Sequence, residues 1–275
     1  MSKTENASRT ADERTWQKMN GSPYVIAFAN QKGGVGKTTS AISLASSTAE
    51  LGKKVLMIDC DPQGNTTSGL GINKKTLRHT TYNALTDGEG PETCVASTKF
   101  DRLSVVPATI ELAGAEFELI SEDGRERRLS DFIAKVTGYD YVMIDCPPSL
   151  GMLTVNALTA ADSVVIPMQC EYYALEGLTQ LMLSIKKVKQ LYNPRLTVAG
   201  ILITMYNGRL NLSSQVLAEI KKYYADKLFS VVIPRNVTLS EAPGFGTPIN
   251  YHDRYSKGAR AYMEAARELI ERCPV

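Results

Sequence analysis

Asn30-Gln31-Lys32-Gly33-Gly34-Val35-Gly36-Lys37-Thr38-Thr39 is the stretch on which the fold turns. Before it, residues 24–29 form a short apolar run of strand-forming side chains. After it, residues 38–51 place Ile42, Leu44, Ala45 and Leu51 in a helical pattern, and Gly52 follows as a stop signal. Gly33, Gly34 and Gly36 lack a Cβ, so the backbone between strand and helix can curl tightly around an anion. Successive N–H groups then point inward, and the helix that starts there adds the positive end of its dipole. The general P-loop pattern is Gly, four residues, then Gly-Lys-Ser/Thr. Gly36, Lys37 and Thr38 match it, while Gln31 stands at the first Gly position. Lys37 is expected to reach the β- and γ-phosphates of a nucleotide, and the Thr38 hydroxyl to ligate Mg²⁺. The amides of Val35 and Thr39 belong to the same cradle.

The alternation continues outward from this loop. Residues 55–58, 103–106, 141–144, 163–167, 198–203 and 229–233 read as further strands. Helical stretches near 111–120, 127–136, 175–190, 213–224 and 258–272 separate them. Apolar strands between helices indicate a mostly parallel twisted sheet with helices on both faces. The fold class is therefore α/β, a single-domain P-loop NTPase fold over residues 23–275. Residues 1–22 are polar, carry Trp16, and are expected to form a disordered tail.

In such sheets ligands lie at the carboxyl ends of the strands. Residues 55–58 run into Asp59-Cys60-Asp61-Pro62-Gln63-Gly64, so two carboxylates flank one residue at a strand end. Asp59 is placed for the metal's outer shell. Residues 141–144 run into Asp145-Cys146-Pro147-Pro148. An apolar strand ending in Asp is the Walker B pattern, whose carboxylate holds Mg²⁺ directly or through water. Turn formation or capping is the plainer use of such residues, but it does not account for two Asp at one strand end.

Composition narrows the classes. The net charge of +2 makes nucleic-acid binding a matter of a local patch. The five cysteines show no paired spacing, which argues against a disulfide framework or a zinc site and fits a reducing cytosol. They read as buried and structural. His79 and His252 show no metal-ligand spacing and read as surface residues. The first 22 residues have no signal-peptide pattern. No run approaches the roughly 20 apolar residues of a membrane span, so a cytoplasmic location is expected.

The run K-G-G-V-G-K-T-T, residues 32–39, resembles the deviant Walker A family of ATPases, which includes ParA/Soj partition ATPases, MinD and nitrogenase iron protein. Residues 59–71, 107–116, 144–151, 169–178 and 233–246 look like the ParA/Soj branch, and the resemblance covers the chain from about Tyr24 onward. It implies ATP and Mg²⁺ as ligands and an ATP-dependent sandwich homodimer that binds double-stranded DNA without sequence preference. It also implies a ParB-type partner that stimulates hydrolysis, and a nucleoid-associated location. By resemblance, Lys32 reaches across the dimer to the partner's nucleotide, as an arginine finger would. Asp61 resembles the carboxylate that positions the attacking water. Pro234 and Asn236 map to the adenine and ribose side.

A DNA footprint needs a basic surface that displaces counterions. Arg209 matches a DNA-contacting arginine of the family, and Arg235, Lys257 and Arg260 are further candidates. Lys186, Lys187, Lys189, Lys221, Lys222 and Arg254 complete the basic set. Thr238 stands where relatives often carry another basic residue. Three other readings compete with this one. A MinD-like membrane regulator would end in a basic amphipathic helix, but residues 259–272 balance their charges. Electron transfer would need clustered cysteines. Positioning of a non-DNA cargo over the nucleoid would use the same chemistry.

Overall fold

The computed structural model describes residues 21–275, so Trp16 and nearly all of the expected N-terminal tail lie outside the described residues. The strands are β1 Tyr24–Phe28, β2 Val55–Asp59, β3 Ala96–Ser97, β4 Leu103–Val106, β5 Tyr141–Asp145, β6 Ser163–Gln169 and β7 Thr197–Thr204. The helices are α1 Lys37–Glu50, α2 Asn65–Gly69, α3 Thr81–Thr86, α4 Pro91–Cys94, α5 Leu112–Glu118 and α6 Arg128–Ile133. They continue as α7 Met152–Ala160, α8 Ala174–Leu191, α9 Asn211–Tyr224, α10 Val237–Glu241, α11 Ile249–His252 and α12 Lys257–Arg272.

One seven-stranded sheet has the order β3-β4-β2-β5-β1-β6-β7. Every pairing is parallel except β3 with β4. Side chains alternate across a strand, and β1 shows the consequence. Val25 and Ala27 enter one core, beneath α5 to α8, while Ile26 and Phe28 enter the other, beneath α1 and α12. Burial on both faces explains why these strands read as unbroken apolar runs.

α1 packs on α12 through small residues. Ser40, Ala41, Ala45, Ala261, Ala265 and Ala266 are all buried, and the Ser40 and Tyr262 hydroxyls meet at 2.9 Å. The apolar side of α12 is thus committed to the domain, as its balanced charges led us to expect. No helix among the described residues is long and apolar enough to cross a membrane.

The sheet corrects the reading of residues 229–233 as a strand. Their ends bond β7, with Phe229 N donating to Ile201 O at 3.0 Å and Ile233 N to Ile203 O at 2.8 Å. Between them the backbone leaves the ladder, and Ser230 gives its N–H and hydroxyl to the Glu268 carboxylate at 2.9 and 2.6 Å. The seventh strand is instead β3, a two-residue edge strand too short to show periodicity. His79 and His252 are partly exposed, in keeping with the surface reading: the His79 side chain is 41% exposed with its Nδ1 2.6 Å from Glu89, and the His252 ring stacks on Phe245. All five cysteines are buried, as expected.

Candidate nucleotide site

The loop after β1 opens beside the ends of β2 and β5. Phe28 pairs with Asp145, and Asp145 pairs with Asp59. Sheet register alone therefore brings both carboxylates under the loop. Gly34 and Gly36 have φ of +73° and +81°, the left-handed region that favours glycine. A Cβ on Gly33 or Gly34 would meet nothing within 4 Å, so the mouth of the loop is open. Its far wall is pinned. Thr204, the last residue of β7, donates its hydroxyl to Val35 O at 2.7 Å, and Gln169, the last of β6, donates to Gly34 O at 2.9 Å. With these carbonyls held from behind, the N–H groups are left to face the mouth.

Lys37 opens α1 and is 7% exposed. Burial lowers its pKa, against the opposing pull of Asp145, Cys146 and Asp61. Among the described residues its Nζ makes only a long 3.4 Å contact with Lys32 O. A buried ammonium so weakly bonded is costly without a counter-charge, and an anion in the loop would supply one.

The carboxylates divide their work. Asp59 Oδ2 accepts from Thr67 N at 2.7 Å and Thr67 Oγ1 at 2.6 Å, and its Oδ1 from Asp61 N at 3.3 Å. Both oxygens are engaged by protein, so Asp59 acts first as the anchor of the segment carrying Asp61. Asp145 Oδ2 accepts from Thr66 at 2.9 Å, whereas its Oδ1 is buried and accepts no hydrogen bond among the described residues. The Thr38 hydroxyl faces this carboxylate and favours its charged form. An orphaned carboxylate oxygen beside a hydroxyl fits a hard cation. Magnesium characteristically takes one or two protein oxygens and draws the rest from water and phosphate, and no cluster of three or more His, Cys, Asp or Glu suits a metal among the described residues. Asp61 is 7% exposed, and its Oδ1 accepts from Gln63 N at 2.9 Å. That bond fixes the carboxylate at the lip of the cradle.

Burial pushes Asp59 up to about 7, with the Asp145 charge adding to it, and pushes Asp145 up to about 6. The folded chain therefore keeps protons that unfolded Asp, near pKa ~3.9, has released. The stability this pair contributes is present below about pH 4 and is lost as the pH rises through about 6 to 7. Asp145→Asn removes one of the two charges. In the nucleotide-free chain it should raise the melting temperature at pH 8, by roughly 2–4 °C per kcal/mol relieved, and change it little at about pH 4. Melts at the two values check this, and an equal shift at both would argue against charge burial as the cause.

Lys32 lies on the outer limb of the loop with its side chain 45% exposed, paired to Glu171 beyond β6. Pro234 bridges to Tyr206 just past β7, and Thr204 and Met205 line the far side of Gly36. The 234–236 segment is thus near the cradle. Asn236 also caps α10 by accepting from Thr238 N at 2.8 Å, a sufficient structural use for that residue. Arg209 and Arg235 are exposed in the loops before α9 and α10, and Lys257 and Arg260 are exposed on α12. Arg254 and Arg260 line one shallow cavity with Arg267, and Arg254 is paired to Glu50 at 3.2 Å.

Gln169, Thr204, Thr66 and Thr67 escaped the sequence reading. Their signal was position: Gln169 and Thr204 end strands at the ligand edge, and the two threonines follow the acidic segment by a few residues.

A strand–loop–helix cradle over paired strand-end carboxylates defines a P-loop ATPase. The model of the AAA domain family matches residues 24–198. The sporulation initiation inhibitor protein Soj of Bacillus subtilis is 52% identical over 246 residues, covering 89% of this chain and 97% of that protein. The chromosome partitioning protein ParA of Myxococcus xanthus is 50% identical over 261 residues, covering 94% and 91%. Among solved structures, cobyrinic acid a,c-diamide synthase from Mycobacterium smegmatis with bound ATP analogue and magnesium is 39% identical with a TM-score of 0.79, covering 90% of this chain and 95% of that one. A plasmid partition protein from Borrelia burgdorferi is 26% identical with a TM-score of 0.71, covering 90% and 96%. The chain belongs to the Soj/ParA family of chromosome-partitioning ATPases.

Proposed function

We propose that the chain is an ATP-driven partition switch: an ATP-bound homodimer that holds double-stranded DNA non-specifically and lets go after hydrolysis, which a ParB-type partner stimulates. The observation that carries the cycle is the state of Lys32. This lysine is half-exposed on the outer limb of the cradle and held by one ion pair to Glu171. An exposed pair of this kind is worth about 0–1 kcal/mol. It can therefore be exchanged for a nucleotide phosphate presented by a second subunit, where the charge is larger and the surroundings drier.

In this reading the amides of Gly33 to Thr39 and the Lys37 ammonium hold the β- and γ-phosphates. The Thr38 hydroxyl and Asp145 would hold magnesium, with Asp59 supporting from behind. The chemistry supplied by the cation is charge neutralisation on the phosphate oxygens. Asp61 positions the attacking water and receives its proton. Lys32 of each subunit serves the other's phosphates, and Pro234 and Asn236 flank the base and ribose. Arg209, Arg235, Lys257 and Arg260 belong to the DNA footprint. The names of the relatives support chromosome partition, and the structures solved with an ATP analogue and magnesium support the ligands. The burial of the apolar side of α12 disfavours a membrane-bound alternative.

The test is size-exclusion chromatography with and without ATP, followed by retention on DNA. The parent should elute as a dimer with ATP and bind DNA with a steep loss between 50 and 200 mM salt. Lys32→Ala should bind ATP but elute as a monomer, or as a dimer without turnover. Arg209→Glu should dimerise and lose DNA. ATP-independent elution of the parent would overturn the switch.

A further inference from the structure

We infer that Lys74 is a positioning residue for hydrolysis: its ammonium clamps the turn of residues 61–64 and so aims the Asp61 carboxylate. The inference rests on the reading of Asp61 as the residue that positions the attacking water, and it names what holds that residue still. The two halves of the acidic segment are secured differently. Asp59 is anchored by Thr67, whose Oγ1 also accepts from Ala108 N at 2.8 Å, and all three residues are buried. The turn that follows is closed by bonds of its own. Gly64 N donates to Asp61 O at 2.8 Å, and Gln63 N donates to Asp61 Oδ1 at 2.9 Å. Both bonds would persist if the turn swung as a unit, so they do not fix where the carboxylate points.

Among the described residues, a single hydrogen bond reaches residues 61–64 from outside residues 59–68. It comes from Lys74, whose Nζ donates to Gln63 O at 2.6 Å. Gln63 therefore accepts from Lys74 through its carbonyl and donates to Asp61 through its amide. Packing agrees. Gly64 has a φ of +61°, and a Cβ there would lie 2.7 Å from Lys74 Cε and Nζ and 2.5 Å from Ala108 O. The turn is wedged between the lysine and that carbonyl. Lys74 is itself held in place, because Asn73 Oδ1 accepts from Lys75 N at 3.1 Å and the Thr76 hydroxyl donates to Asn73 O at 3.0 Å. Stability alone is a poor reason for this pose. Fixing a lysine side chain costs rotamer entropy, and among the described residues no carboxylate is paired with this one. What the pose does provide is a charged donor, whose hydrogen bond is stronger than a neutral one, on the turn that carries Asp61. Misplacing a reacting group by about 1 Å can cost about 10²-fold in rate.

Steady-state hydrolysis of Mg–ATP by Lys74→Met is the test, because methionine keeps an aliphatic stem against Gly64 and removes the donor. Its kcat should fall roughly 10- to 100-fold. KM and the melting temperature should stay with the parent's, the pattern of an interaction that counts only in the transition state. Lys74→Arg should restore most of the rate, and Lys75→Met, on the exposed neighbour, should leave it unchanged. Parent-like kcat in Lys74→Met overturns the inference. So does a raised KM, which would make Lys74 a nucleotide contact, and so does a loss that arginine does not repair, which would make the role one of packing. Asp61→Ala assayed alongside separates the two possible failures. Parent-like turnover in that variant removes the reading of Asp61 itself, whereas slow turnover there beside a parent-like Lys74→Met removes only the clamp.

Discussion

Lys37→Ala is expected to weaken ATP binding by roughly 10²–10⁴-fold. The estimate follows from what the side chain does in the folded chain. Lys37 is buried at the first turn of α1, with burial lowering its pKa. With nucleotide in the cradle, the same ammonium becomes one partner of a buried charge pair. Removing one partner of such a pair costs about 3–5 kcal/mol, and each ~1.4 kcal/mol is a factor of ten in affinity. A loss of fold does not explain the result in advance. Without nucleotide, the ammonium is a burden, so the variant should melt at or above the parent's temperature. Calorimetric titration with Mg–ATP, beside a thermal melt of the free protein, separates the two. Affinity within a few-fold of the parent would place the triphosphate elsewhere than in residues 33–39.

That prediction was readable from sequence because the geometry behind it is local. Glycine at 34 and 36, a lysine at 37 and a helix starting there leave the backbone few options. Asp59 and Asp145 were readable for a related reason. Each ends an apolar run, and a parallel sheet places its strand ends along one edge. What escaped depends on contacts distant in sequence. Gln169 and Thr204 act on the loop from 135 and 169 residues away, and no pattern within either segment announces that. The division of labour between Asp59 and Asp145 is also invisible in sequence. It arises because Thr67 satisfies one carboxylate while the second keeps a buried oxygen without a partner among the described residues. Residues 229–233 misled for a physical reason as well. An apolar run beside a strand reads as a ladder partner, but its two ends bond β7 while its middle departs from the ladder. Exposed lysines and arginines show the opposite limit. Charge at the surface is cheap, and neither sequence nor fold distinguishes a DNA contact from a solvated side chain one residue at a time.

Asp61→Ala is expected to leave ATP binding and dimer formation close to the parent while slowing turnover by roughly 10²–10⁴-fold, the range for loss of a positioned general base. The reasoning rests on what holds this segment. Asp59, not Asp61, anchors it, through Thr67 N and Oγ1 and the Asp61 amide. The amide survives the substitution, so the segment should stay in place. Asp61 contributes a carboxylate at the lip of the cradle, oriented by the Gln63 amide at 2.9 Å. On the proposed mechanism, removing it takes away a group that meets the attacking water and none that grips phosphate. Because Asp61 also favours the charged form of Lys37, a several-fold change in ATP affinity falls within expectation, whereas a hundredfold loss does not. With hydrolysis blocked, the ATP-loaded dimer should accumulate, and a DNA column should retain the variant longer than the parent under the same ATP. Phosphate release and DNA retention measured side by side form the check. Parent-like turnover would move the catalytic carboxylate away from Asp61, and loss of ATP binding together with turnover would make Asp61 part of the grip rather than the chemistry.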